Sequence, residues 1–173
     1  QALRQPEQTA KFVLVEAGAY WLDTTRFQID VDEFDALLTQ ARSANDETAS
    51  QRYEQVIALY QGPYLENMPY YDWAMPERRR LDEAYLAALS ALADYYAGNA
   101  RYREALDLTL RALQSDPLRE ESHCAVLRYY AALGDRSGLV RHYQQVQQIL
   151  RTELDLPPLP ATQTLYKNLL EGP

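Results

Sequence analysis

The 173 residues are 47% apolar and 24% charged, the balance of one ordinary soluble domain or two very small ones. A chain of this length buries roughly two-thirds of its unfolded surface, so it needs neither disulfides nor a metal to fold. Its 17 basic against 25 acidic side chains leave a net charge of −8, which argues against general nucleic-acid binding.

Residues 1–11 are polar, contain Pro6 and lack a period; they read as a linker. Phe12 to Asp23 follows, with β-branched and aromatic residues on either side of Ala17-Gly18. Gly supplies the positive φ of a tight turn, so this stretch predicts a short β-hairpin. From Asp30 the period becomes helical: Asp30 and Glu33 are spaced like a capping box, and Phe34, Leu37, Leu38 and Ala41 share one face. Asn45-Asp46 restarts the chain, Tyr53, Val56, Ile57 and Tyr60 repeat the stripe, and Gly62-Pro63 stops it. The stretch 62–72 predicts an aromatic loop with Tyr64, Tyr70 and Tyr71 laid against the body. A long helix is expected over about 73–97, ended by Gly98-Asn99 as a left-handed cap. Further helices are expected over 102–113, 117–133 and 136–152. Leu156-Pro157-Pro158-Leu159-Pro160 is extended because proline excludes helix there. A last helix over 161–170 turns Leu165, Leu169 and Leu170 inward.

One hairpin and seven helices without βαβ alternation make an all-α fold. Within it, Tyr95-Tyr96-Ala97 recurs as Tyr129-Tyr130-Ala131 at an offset of 34 residues, the period of a tetratricopeptide helix–turn–helix unit. Ala93, Tyr96, Ala105, Ala112 and Pro117 occupy the landmark positions of unit 86–119, and unit 120–153 is a degenerate copy. With the pair 31–61 as a third unit and 161–170 as a capping helix, the expected architecture is a tetratricopeptide-like superhelix of three helix pairs.

Chemistry-bearing patterns are absent. Six glycines match no phosphate-binding loop or dinucleotide fingerprint, and neither G-x-S-x-G nor H-E-x-x-H occurs. His123 and His142 fall on adjacent antiparallel helices but read as packing or surface residues, since no Cys or carboxylate joins them at metal-ligand spacing. Cys124 reads as an inert, buried thiol; as the single cysteine it allows no internal disulfide and fits a reducing cytoplasm. Glu120-Glu121 complements a helix dipole, and Arg78-Arg79-Arg80, flanked by Glu77, Asp82 and Glu83, reads as a solvated face with local ion pairs. No run of about eighteen apolar residues predicts a membrane span, and no export leader is visible. No catalytic, cofactor or metal site is therefore expected. A superhelix of this kind binds protein partners on the face made by the first helix of each pair. In this register those groove positions are Ala87, Ser90, Asp94, Glu121, Cys124 and Arg128. Apart from Arg128 they lack the Lys, Asn and Arg set that grips a terminal carboxylate.

The ordered landmarks also carry a resemblance. The run Leu59-Tyr60-Gln61-Gly62-Pro63-Tyr64-Leu65, then Asp72-Trp73-Ala74, Arg80-Leu81-Asp82-Glu83 and Leu86, resembles the bacterial transcriptional activator domain of antibiotic-regulatory-protein-type regulators. Asp116 to His123, Gly134, Tyr143, Leu150, Glu153-Leu154 and Thr164-Leu165-Tyr166 extend it, so that it covers about 24–171. Gly138-Leu139 departs from the family's usual small residue. Residues 12–22, ending Gly18-Ala19-Tyr20-Trp21-Leu22, are similar to the last hairpin of a winged helix–turn–helix domain. The resemblance implies a division into a linker and remnant wing at 1–23 and an activator domain at 24–173. Gln1 is not an initiator and the first Met is Met68, so the chain is expected to be a piece of a longer protein whose DNA reader lies upstream. The implied role is a cytoplasmic regulatory and oligomerisation module that touches DNA only through that reader. A stand-alone peptide-binding adaptor is the alternative, and an enzyme centred on His123 or His142 is a third class.

Overall fold

The computed structural model describes residues 13–16, 18–22, 29–68 and 70–171; the expected linker at 1–11 and the junction at 23–28 lie outside them. Two strands, β1 (Val13–Glu16) and β2 (Ala19–Leu22), pair antiparallel with Val13 opposite Leu22 and Glu16 opposite Ala19. Gly18 takes φ 82°, the conformation for which a glycine was expected at the turn.

The helices are α1 (Asp30–Ser43), α2 (Asp46–Leu59), α3 (Met75–Gly98), α4 (Tyr102–Ser115), α5 (Glu120–Ala132), α6 (Arg136–Leu154) and α7 (Pro160–Glu171). Each of α1 to α5 packs on the next in sequence, and α7 packs on α5. Cross-helix contacts set the directions. Tyr96 and Tyr60 donate their hydroxyls to Glu54 and Asp82 respectively, so α3 descends as α2 ascends. Tyr102 at the start of α4 meets Tyr129 near the end of α5. Thr162 meets Glu120 at the start of α5, while Leu169 and Leu170 pack on the cluster that holds Leu127 farther along it, so α7 runs alongside α5 in the same direction. It takes the place of the first helix of a fourth unit. The main core runs from Phe34 and Leu38 through Val56, Leu89 and Leu92 to Val126. A second cluster of Leu127, Leu139 and Tyr143 is closed by Tyr166, Leu169 and Leu170.

The 34-residue repeat is geometric as well as textual. The Arg101 amide donates to Tyr96 O at 2.8 Å and the Asp135 amide to Tyr130 O at 2.9 Å, one repeat later. The left-handed residue in each turn is Ala100 (φ 57°) and Gly134 (φ 71°). The cap expected at Gly98-Asn99 is thus displaced: Gly98 is still helical and Ala100 makes the turn. Two other helix starts differ from expectation. α1 is capped at Ile29, and Asp30 lies inside the helix with its carboxylate accepting from the Val31 amide at 2.9 Å; no Asp30 capping box forms. α5 begins at Glu120 rather than at 117, because the carbonyl of Pro117 is drawn to a side chain, His123, and Arg119 takes the cap position.

Candidate interaction surface

The groove positions divide between α3 and α5. Ala87, Ser90 and Asp94 on α3 and Glu121 and Arg128 on α5 are exposed, whereas Cys124 is half-buried with its Sγ 3.5 Å from Thr162 Oγ1 of α7. Asp94 and Arg128 converge electrostatically on Tyr129. Burial and the negative charge of Asp94 raise the Tyr129 hydroxyl above its usual pKa, opposed by a Thr109 hydrogen bond and by Arg128. A carboxylate from one unit and a guanidinium from the next thus act with opposite sign on the same buried hydroxyl.

α7 closes the end of this face through contacts that sequence spacing does not reveal. Glu120 accepts from the Leu159 amide at 3.0 Å and from Thr162 Oγ1 at 2.6 Å, so one carboxylate from α5 caps the first turn of α7. Tyr143 stacks on Tyr166 with ring centroids 3.8 Å apart and planes 5° from parallel. Burial, followed by the neighbouring Tyr166 and Glu120, raises the Tyr143 hydroxyl's pKa.

His123 and His142 do meet. They are 2% and 6% exposed, with His123 Nδ1 3.0 Å from His142 Nε2 and His123 Nε2 2.9 Å from Pro117 O. A carbonyl only accepts, so His123 Nε2 carries a hydrogen; in the tautomer with that single hydrogen, His123 Nδ1 accepts and His142 Nε2 donates. Burial, then the adjacent His123, lowers the His142 pKa to about 4 against a smaller opposing pull from Gln145. The two rings tie the Pro117 turn to α5 and α6, with His142 held neutral. No group of His, Cys, Asp and Glu able to hold a metal occurs among the described residues.

The arginine triplet splits. Arg80 forks onto Asp35 at 2.7 and 2.9 Å and onto Glu77, and Arg79 lies 3.9 Å from Glu83, as a solvated ion-paired face should. Arg78 instead turns inward on the connection between α2 and α3, donating to the carbonyls of Tyr64 (2.9 Å), Leu65 (3.2 Å) and Met68 (3.4 Å). Five donors in a fixed fork suit this clamp. The clamped loop corrects another expectation. Tyr64 does pack against the core, but Tyr70 is 92% exposed, Tyr71 50% and Trp73 65%, with Met68 and Met75 also open to solvent. The Tyr71 and Trp73 rings meet edge-on at 6.2 Å. The loop holds its shape while presenting its aromatics outward.

Residues 29–170, which include all but the outermost residue of the helical array, match the family described as the bacterial transcriptional activator domain. The chain belongs to that family. Among solved structures it is similar to Mycobacterium tuberculosis EmbR, determined in complex with a low affinity phosphopeptide, with a TM-score of 0.66 at 20% identity. The likeness spans 92% of this chain and 43% of that one, and at this identity it speaks to the fold. No curated protein matches the chain. Tetratricopeptide-like pairing, the all-α class and the activator-domain resemblance all agree with these findings. No described helix is long and apolar enough to cross a membrane.

Proposed function

We propose that this activator-family domain is the regulatory and protein-interaction module of a bacterial DNA-binding activator, and that it does not itself read DNA. The family match across 29–170 carries this reading. The net charge of −8 supports it, since a surface repelled on average by phosphate gains little from counterion release. The partner groove is the face bearing Ala87, Ser90, Asp94, Glu121, Cys124 and Arg128, closed at one end by α7. Its partner is a protein: another copy of the regulator or a component of the transcription machinery. DNA is engaged through a winged-helix domain preceding residue 24, with 24–173 as the regulatory unit, in the cytoplasm and without enzymatic chemistry.

Titration of the chain against a labelled operator duplex at roughly 150 mM salt tests the reading. Weak, sequence-indifferent binding is expected. Sequence-specific binding at submicromolar concentration, lost when Lys11→Ala and Arg26→Ala are combined, would place the reading surface in this chain and overturn it.

A further inference from the structure

The antiparallel succession of helices places alternate connections on the same edge of the superhelix. The connections α2–α3 (60–74), α4–α5 (116–119) and α6–α7 (155–159) line one edge, with the first and last at its two ends. Both end connections expose apolar groups, and their chemistry is complementary. At one end the Arg78-clamped loop presents Met68, Tyr70, Tyr71, Trp73 and Met75. At the other, the non-helical run that begins at Leu156 exposes Leu156, Pro157 and Leu159, with Leu154 beside them. Proline-rich extended segments dock on aromatic surfaces because their backbone is already fixed and little entropy is lost on binding.

We propose that this edge is a self-association surface, on which two copies of the chain pair with two-fold symmetry. The aromatic loop of each copy takes the 154–160 segment of the other. A two-fold interface requires residue i to meet j while j meets i, and a surface carrying complementary patches at opposite ends of one edge satisfies that twice. From the fractional exposures of these side chains, taken with about 150–250 Å² for a fully exposed aromatic ring and about 100 Å² for Leu or Met, each copy offers about 700 Å². A symmetric pair would then remove roughly 1,400 Å² from water, within the size of a stable specific interface.

This proposal rests on the reading of the chain as an interaction module, and its test is independent of the operator titration. Sedimentation velocity of the 173-residue chain over about 1–100 μM should show a reversible monomer–dimer equilibrium. Tyr70→Ser with Trp73→Ser, and separately Leu156→Ser with Leu159→Ser, should each raise the dimer Kd by about tenfold or more, with circular dichroism unchanged because all four side chains are exposed. In a Cys124→Ser background, a short bismaleimide should join Tyr70→Cys chains to Leu156→Cys chains in a mixture while joining neither variant to itself. A monomer throughout, a dimer sensitive to only one end or to neither, self-linking of either cysteine variant, or growth into open chains would overturn the paired edge. Any of these leaves the regulatory reading standing, to be decided by the operator titration.

Discussion

Acidification provides a direct test of the buried histidine relay. His142 is held neutral in the folded chain with a pKa of about 4, first by burial and then by the adjacent His123; in the unfolded chain a histidine titrates near pH 6.5. Between these values the unfolded state binds the extra proton, so stability falls as the pH falls from about 6.5 towards 4 and levels off below. The slope for one such group is about 1.4 kcal/mol per pH unit, so passing from pH 7 to pH 5 should cost about 2 kcal/mol. Around His142 the other polar groups are His123 and Tyr130 on α5 and Gln145 on its own helix. Two carboxylates are held low, Glu77 by its hydrogen bond from Arg80 and Glu104 first by a backbone hydrogen bond and then by Arg101; they lose their contribution only below about pH 4.5 and leave this window clear. Urea unfolding at pH 7, 6 and 5 would show the effect as a midpoint lowered by about 1 M at a typical slope for a small domain. His142→Gln keeps an N–H for His123 Nδ1 but cannot titrate, and its stability should be nearly flat over the same range. A wild-type curve flat between pH 7 and 5, or an undiminished slope in His142→Gln, would refute the assignment of a neutral, acid-sensitive His142.

Three further outcomes follow from contacts already described. Ala100→Gly should stabilise the chain by about 0.5–1 kcal/mol, since relief of a left-handed alanine exceeds the entropy that glycine adds to the unfolded state, and Gly134→Ala at the equivalent turn should destabilise it by a similar amount; thermal melts of both variants check the pair. Glu120→Ala removes the carboxylate that caps α7 and should cost about 1.5–3 kcal/mol, read as early hydrogen exchange in 160–171 ahead of global unfolding. Arg78→Lys retains the charge but loses the fork that holds three loop carbonyls, so proteolysis within 62–74 should accelerate while the melting temperature changes little.

The helical scaffold was legible because its signals are local and periodic. Phe34, Leu38 and Ala41 are spaced for one face and are buried together, and the 34-residue offset reappears as the same pair of turn hydrogen bonds. What escaped the sequence depends on partners distant along the chain. Nothing near Arg78 distinguishes it from Arg79 and Arg80, yet only Arg78 faces the loop carbonyls ten to fourteen residues earlier. Glu120 looked like a dipole-complementing residue of its own helix, and its carboxylate is in fact aligned with an amide 39 residues later. The loop tyrosines were misplaced for a related reason. Tyr is comfortable half-buried or exposed, so only the path of the backbone decides that Tyr64 joins the core while Tyr70 does not. Of the candidate groove positions, Ala87, Ser90, Asp94, Glu121 and Arg128 are exposed, but the half-burial of Cys124 against Thr162 required knowing where α7 lies.

The small residue at Gly138 shows how the degenerate unit 120–153 keeps its close packing. In unit 86–119 the small position is Ala105, fully buried where α4 crosses its neighbours; one repeat later that position is Leu139, also buried. The helices still approach, because the adjacent Gly138 leaves room for the Tyr130 ring: a Cβ there would lie 2.6 Å from two ring atoms and 2.5 Å from an Asp135 carboxylate oxygen. Neither neighbour yields freely. Asp135 is fixed by capping α6 through the Gly138 amide at 2.8 Å, and Tyr130 is held against His142 at 6.1 Å between ring centres. Gly138→Ala should therefore destabilise the chain by about 1–2 kcal/mol, the overpacking cost outweighing the gain of about 1 kcal/mol that alanine brings to a helix. Because the displaced ring borders His142, the same variant should also alter the acid-dependent loss of stability. A variant as stable as wild type with an unchanged pH profile would mean that Tyr130 moves aside without strain, and that glycine at 138 is not what lets α5 and α6 come together.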